Sequence, residues 1–339
     1  MRGRRLIRAE QSNAKTGVLT SPAHILTVDV EDYFQVEAFA SWVYRESWDQ
    51  WPCRVVENTE RILDLFDQHR AKGTFFFLGW VAERFPKLVR AVHARGHELG
   101  CHSYWHRTIY SLTREAFRED TRLAKSVIED AAGVQVIGYR APSWSITRDC
   151  LWALDILAEE GFVYDSSIYP IHHDLYGLPG AKRFPYVHLS GNGLQLREYP
   201  PATLRFLGTN FPVAGGGYLR IFPAAATRLA FRIFEKRYRE RVVVYLHPWE
   251  LDPDQPRIPA GLRSRLRHYT SLRTMSGKVS ALLQRHRFER FCDVLRENEV
   301  AAAGPSMRVS APSQLEQEPA QRLSPTAVFP GEGNIRRPA

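Results

Sequence analysis

Two histidines four residues apart, His102 and His106, and a carboxylate cluster at Asp29, Glu31 and Asp32 are the residues of this chain best placed to do chemistry together. Imidazoles at i and i+4 share one side of a helical turn and can grip one cation. Two imidazoles and one carboxylate leave coordination positions open for water and a substrate. Either feature alone is ambiguous, since an H-x-x-x-H pair is more often incidental and an acidic run can equally cap a helix. Asp29 and Glu31, at i and i+2 on an extended chain, share a face, while Asp32 stays open as the alternative ligand.

Groups so far apart in sequence need a scaffold that returns them to one place. Short β-rich runs alternate with helix-period stretches from residue 25 onward, which predicts parallel strands joined by crossover helices. The runs are 25–30, 74–78, 98–101, 136–139, 162–164, 194–199 and 242–246, about seven strands and close to the eight of a full barrel. Apolar stripes at helical spacing lie between them, as in Val81, Phe85, Leu88, Val89 and Val92, and these are core. Further helices are expected around Phe117 to Ile128, Leu151 to Leu157, Ala230 to Tyr238 and Val279 to Leu283. Barrel enzymes carry their reactive groups where strands end. Here Asp29, Glu31 and Asp32 end the first run, His102 and His106 follow the third, Arg140 ends the fourth, Asp165 the fifth and His247 the last. The stretch from Ser166 to Leu194, rich in Pro, Gly, His and Tyr and periodic at neither 2 nor 3.6, is expected to be a substrate-contacting loop.

At 339 residues with 44% hydrophobic and 24% charged residues, the chain is long enough and apolar enough to bury a large core. The expected organisation is a flexible segment over 1–21, one barrel over 22–299 with a helical extension from about 251, and a disordered Ala, Gly, Pro, Ser and Gln-rich tail over 300–339. The net charge of +9 is concentrated at the start and in the 257–290 stretch, which reads first as solvated surface. No nucleic-acid-binding module accompanies it. The four cysteines lie far apart, with neither a C-x-x-C pair nor a disulfide framework, so reduced thiols are expected. Residues 11–20 are polar where a signal peptide needs an apolar run, and no run approaches a membrane span. A cytoplasmic chain is expected, with attachment to a membrane surface left open.

Taken together these residues resemble the NodB-homology polysaccharide deacetylases, over roughly residues 22 to 250. The family's first motif, T-F-D-D-G, is met loosely by Thr27-Val28-Asp29-Val30-Glu31-Asp32, and its second, H-[ST]-x-x-H, fully by His102 to His106. Arg140-Ala141-Pro142-Ser143-Trp144 meets the third, Asp165-Ser166 the fourth and Leu246-His247-Pro248 the fifth. Asp-Val-Glu-Asp-Tyr-Phe and Gly215-Gly216-Gly217-Tyr218 are similar to the branch found in exopolysaccharide gene clusters of the exosortase type.

The resemblance implies an α/β fold, a distorted barrel of seven or eight β/α units. It implies a divalent ion, Zn2+ first and Co2+, Ni2+ or Fe2+ as options, on His102, His106 and Glu31 or Asp32. It further implies Asp29 as base, paired with Arg140, and His247 as general acid, held by Asp165. A backbone N–H near Ser143 and Trp144 would hold the oxyanion, and Trp144 and Trp249 could meet sugar rings. The expected reaction is removal of acetyl groups from an N-acetylated glycan. The competing readings are a relative that hydrolyses cyclic imides or ureides, and an inactive barrel that only binds polysaccharide. The oligomeric state is not legible.

Overall fold

Strand β1 (His24–Val30) is buried at every position, and so is β2 (Thr74–Phe77), as expected of parallel strands covered on both faces. The computed structural model describes residues 22–174 and 176–303, the last three by backbone alone. The expected flexible segment over 1–21 and the tail from 304 onward lie outside the described residues, while 300–303 continue a helix rather than opening a tail. Contacts divide the chain into Met1–Glu297 and Asn298–Ala339, and the architecture below is that of the first unit.

Between β1 and β2 stands α1 (Val55–Gln68), and between β2 and β3 (Glu98–Cys101) stand α2 (Gly79–Arg84) and α3 (Pro86–Ala94). The predicted single helix is thus two, because Pro86 lacks the N–H to continue a turn and instead starts α3. Helix α4 (Arg114–Ala132) begins where Thr113 Oγ1 accepts the Ala116 N–H and ends at Gly133 in a left-handed conformation. It leads to β4 (Gly138–Tyr139), α5 (Trp152–Glu159) and β5 (Tyr164–Asp165).

The second half adds the antiparallel pair β6 (Tyr186–Leu189) and β7 (Gln195–Glu198), and the hairpin β8 (Thr203–Phe206) with β9 (Thr209–Pro212). Helices α6 (Gly216–Ile221) and α7 (Ala224–Ile233) precede β10 (Val243–Leu246). After it come α8 (Leu262–Tyr269), α9 (Leu272–Arg285), β11 (Phe288–Glu289) and α10 (Phe291–Ala303).

The main sheet runs β10-β1-β2-β3-β4-β5-β7-β6, with β11 on the first residues of β1. Seven of these strands lie parallel in the order foreseen, and β6 closes one edge antiparallel. Among the described residues no pairing joins β10 to β6, so the sheet is a curled half-barrel. Helices α1, α6 and α10 were not foreseen individually, and neither were the strands β6, β8, β9 and β11. Strand β6 falls inside the stretch read as a loop, because its residues alternate only between half-buried and exposed. The β8–β9 hairpin turns on Leu207 and Gly208, both at positive φ, a two-residue turn whose sequence signal is weak without Asn or Asp. Strand β11 is only two residues long.

Two buried histidines tie the termini of this sheet together. His24 Nδ1 accepts the Val242 N–H at 3.1 Å, and His97 Nδ1 accepts that of Gly73 at 3.2 Å. Burial holds both imidazoles down, to about 4. A folded pKa below the ordinary 6.5 means that the unfolded chain takes up protons first, so this stability is complete above pH 6.5 and is lost as pH falls toward 4. Each group contributes at most about 3 kcal/mol. Urea titrations between pH 7 and 4 should therefore show steeply falling stability, and His97→Asn should flatten that slope while lowering the plateau.

Candidate active site

The loop between β3 and α4 carries both predicted imidazoles, but not on a helical turn. Ser103 and His106 stand at φ +70° and +51°, a conformation costly for non-glycine residues. Asp120 of α4 holds it there, accepting from Ser103 Oγ at 2.6 Å, from the Tyr104 N–H at 2.8 Å and, more distantly, from the Trp105 N–H at 3.4 Å. The rings of His102 and His106 end up 5.4 Å apart.

Glu31 meets them from the end of β1. One ligand atom each from Glu31, His102 and His106 lies within 4.8 Å of the others, and all three residues are buried. His102 Nδ1 lies 2.7 Å from the Arg140 carbonyl oxygen, so it carries the proton and leaves Nε2 free to ligate. Glu31 Oε1 accepts the Trp249 indole N–H at 3.1 Å. Its other oxygen sits 2.7 Å from His106 Nε2 without a well-formed hydrogen bond. These donors fit a divalent cation: two nitrogens and a carboxylate oxygen close together, with His102 and Glu31 each oriented from behind. Burial pushes His102 down to about 4, which keeps it neutral as ligation requires. Burial alone would raise Glu31, but the neighbouring His106, with His247 and His102, outweighs it and brings the carboxyl down to about 2.

Asp32, the alternative ligand, turns away. Its oxygens accept the backbone N–H groups of Tyr33, Arg54 and Val55 at 2.9, 2.7 and 2.9 Å, where it fastens the chain entering α1. A second trio, His24, Glu235 and His286, also brings its atoms together. It does not fit a cation: His24 Nδ1 is occupied as an acceptor, so Nε2 bears the proton and donates to Glu235 at 3.1 Å.

Asp29 lies beside the trio. Its Oδ1 accepts from Arg140 Nη1 at 2.7 Å and its Oδ2 is 3.9 Å from His247 Nε2. Arg140 is fully buried, donates also to Thr27 Oγ1, Ser166 O and Ser166 Oγ, and lies over the rings of Phe76 and Trp144. His247 has 18% of its side chain exposed against 4% or less for Asp29, Glu31 and His106, so it is the member of the group nearest to an incoming molecule.

The expected partner of His247 is not Asp165. That carboxylate accepts Ser167 Oγ at 2.5 Å and faces Glu198 in a fully buried carboxyl pair, where burial and the Asp165 charge push Glu198 well above its ordinary value. His247 Nδ1 instead lies 3.1 Å from Glu250 Oε2, and Glu250 Oε1 accepts from the buried Arg220 at 2.6 Å. Burial would lower the imidazole, but the Glu250 charge and hydrogen bond, with Glu31 and Asp29, raise it to about 9. Glu250, Arg220 and Asp120 escaped sequence reasoning, although Glu250 stands three residues beyond His247 and the pair forms a local i, i+3 contact.

The aromatic expectations change too. Trp249 is buried, holds Glu31 and stacks on His247 and His268, so it orients a ligand and has no free face for a sugar. Trp144 is buried against Tyr169 and Tyr245. Ser143 and Trp144 both have left-handed φ, and the Trp144 N–H donates to the Ala141 carbonyl at 3.2 Å, which removes that N–H from the oxyanion role.

Two stretches of the chain match known families. Residues 46–160 match the family described as polysaccharide deacetylase, and residues 166–296 match a domain of unknown function, DUF3473. The peptidoglycan-N-acetylglucosamine deacetylase of Bacillus cereus is 33% identical over 101 residues, 30% of this chain and 37% of that protein. The peptidoglycan deacetylase of Helicobacter pylori is 34% identical over 116 residues, 34% of this chain and 37% of that protein. The chain thus spans about a third of the length of these curated relatives. A Mycobacterium smegmatis protein assigned to the polysaccharide deacetylases superposes with a TM-score of 0.52 at 21% identity, covering 88% of this chain and 98% of that one. The PuuE allantoinase superposes at 0.54 and 16% identity, covering 88% and 100%. At these identities the likeness shows the fold alone.

The two carboxylates separate in one experiment. Glu31→Ala should abolish stoichiometric metal retention measured by elemental analysis after dialysis. Asp32→Asn should keep the metal but lose about 1–3 kcal/mol of stability, because an amide cannot satisfy three N–H donors.

Proposed function

We propose, on the premise that the resemblance of residues 46–160 to the polysaccharide deacetylase family extends to the chemistry of the chain, that it is a metal-dependent hydrolase removing N-acetyl groups from an N-acetylated polysaccharide or its oligosaccharide precursor. The observation that carries the reading is the convergence of Glu31, His102 and His106 beside the Asp29–Arg140 pair and His247. The names of the matched relatives support an acetamide on an amino sugar as the substrate.

Glu31, His102 and His106 would hold a divalent ion, expected to be Zn2+, which would polarise the acetamide carbonyl and acidify water. The protein's own groups do the rest. Asp29 takes the water's proton: Arg140 fixes one oxygen and leaves the other directed into the site. His247, held protonated by Glu250, delivers a proton to the leaving amine. Trp249 fixes Glu31 so that its second oxygen faces the imidazoles.

The polymer is proposed to be an exopolysaccharide of an exosortase-type gene cluster, with the chain acting in the cytoplasm on a precursor. The support is the wording of residues 29–34 and of Gly215 to Tyr218. That glycine run also has a packing reason, since a Cβ at Gly215 or Gly216 would stand 2.2 or 2.6 Å from the Tyr245 ring that flanks His247.

The test is acetate release from defined N-acetylated oligosaccharides by the purified full chain. Chelation should abolish turnover, and Asp29→Asn should lower kcat by about 10²–10⁴ with the circular dichroism unchanged. Hydrolysis of a cyclic imide or ureide without acetate release would move the chain to the competing chemistry. Because Glu250 is what lifts His247 above its ordinary value, Glu250→Gln should shift the alkaline limb of kcat/KM to lower pH. Asp165→Asn should leave that limb in place.

A further inference from the structure

The arginine side chains of the basic stretch singled out in the sequence are not among the groups that form the site. From Gln255 to Phe288 there is no acidic residue, while arginines stand at 257, 263, 265, 267, 273, 285 and 287. Its centre is α8, which is apolar where a solvated helix should be polar. Leu262 and Leu266, one turn apart on the same face, are 71% and 59% exposed. The other face is fixed in the fold: His268 is buried and stacks on Trp249 at 4.0 Å, and Arg220 donates to the carbonyls of Arg267 and His268. Helix α8 therefore has no freedom to turn its leucines inward.

The apolar surface continues beyond the helix. The Trp42 ring lies 3.5 Å from where a Cβ on Gly261 would be, immediately before Leu262, and is 44% exposed. Tyr44, two residues on, is 67% exposed. Arg263 and Arg265 remain exposed around the leucines, and Asp174, the one carboxylate among the described residues paired with this cluster, is shared between Arg263 and Arg267 at 2.9 and 3.5 Å.

We infer that this face, Leu262 and Leu266 with Trp42, Tyr44 and the surrounding arginines, seats the protein on an anionic membrane surface. Outward leucines flanked by arginines, with Trp and Tyr at the margin, have the composition of an interfacial helix. The leucines and the tryptophan enter the headgroup boundary, and the guanidinium groups meet lipid phosphates. A dissolved anionic polymer would use the arginines and leave the leucines in water. A second copy of this chain would bring arginine against arginine, which like charge opposes. The same face borders the site. Arg45, next to Tyr44, donates to the carbonyls of Trp105 and His106, and Trp249 beneath α8 holds Glu31. Docking there would bring the mouth of the site to the membrane, where a lipid-borne glycan would be met.

The inference concerns binding and stands without the deacetylase reading, because its readout is vesicle association. The full chain should co-float with phosphatidylglycerol/phosphatidylcholine vesicles at low salt, dissociate as salt is raised and fail to bind phosphatidylcholine alone. Leu262→Asp with Leu266→Asp should lower the partition coefficient at least about tenfold. Arg265→Gln should lower it about fivefold, the loss of one cation near such a surface. The circular dichroism and thermal midpoint of each variant should stay those of the unaltered chain, which shows that the fold is intact. The inference is overturned if the chain ignores anionic vesicles. It is equally overturned if the double aspartate variant binds as before, which would place the binding in another segment, or if light scattering shows this face joining two copies.

Discussion

A guanidinium with no access to water fixes the geometry of this site. Arg140 lies at the end of β4 with none of its side chain exposed, and an uncompensated charge there would cost several kcal/mol. It is compensated by groups drawn from four strands and their ends: Thr27 and Asp29 of β1, Ser166 just past β5, and the faces of Phe76 in β2 and Trp144 beyond β4. The backbone carbonyl of the same residue orients His102. A register slip in any of these strands would strand the charge, so the arginine couples the alignment of the sheet to the alignment of Asp29 and the metal trio.

How far this was legible in sequence follows from the range of the forces involved. Parallel strands covered on both faces are continuous apolar runs, and β1, β2, β3 and β10 announced themselves that way to within a residue or so. The residues at their ends followed, since strand order and strand ends decide what meets at the sheet's edge. Strands that answer to weaker local signals did not: β6 is an edge strand with a half-buried face, and β8–β9 rests on a turn with little sequence signature. His102 and His106 were recognised as a pair but assigned the wrong local geometry, because spacing suggests a helical turn and only Asp120, on another element, imposes the strained loop.

Side-chain partnerships at longer range were the least legible. Asp165 ends a strand beside the site, and only the fold reveals that Glu198 on β7 takes it as a partner. A carboxylate already sharing a buried pair, and bonded to Ser167, is a poor anchor for an imidazole elsewhere. Trp249 raised the opposite difficulty. A tryptophan beside a candidate histidine looks like a sugar platform, yet burial requires its N–H to find an acceptor, and the acceptor it finds is the ligand carboxylate.

The two halves of the chain thus contribute different things to one centre. The first half supplies the trio, Asp29 and Arg140, and the polysaccharide deacetylase match within it takes in His102, His106 and Arg140 but begins after Asp29 and Glu31. The second half supplies His247, with Glu250 and Arg220 behind it and Trp249 against Glu31, and is where the domain of unknown function falls. Arg220 reaches Glu250 only because Lys278 and the end of α8 fix the turn from α6, through the carbonyls of Leu219, Arg220, His268 and Thr270. Polar groups chained in this way in a dry interior hold each other in one arrangement, since breaking any link leaves a buried charge unpaired. The region without an assigned role is therefore tied into the site: it positions His247 and raises its imidazole above the ordinary value, and His247 is more exposed than Asp29, Glu31 or His106.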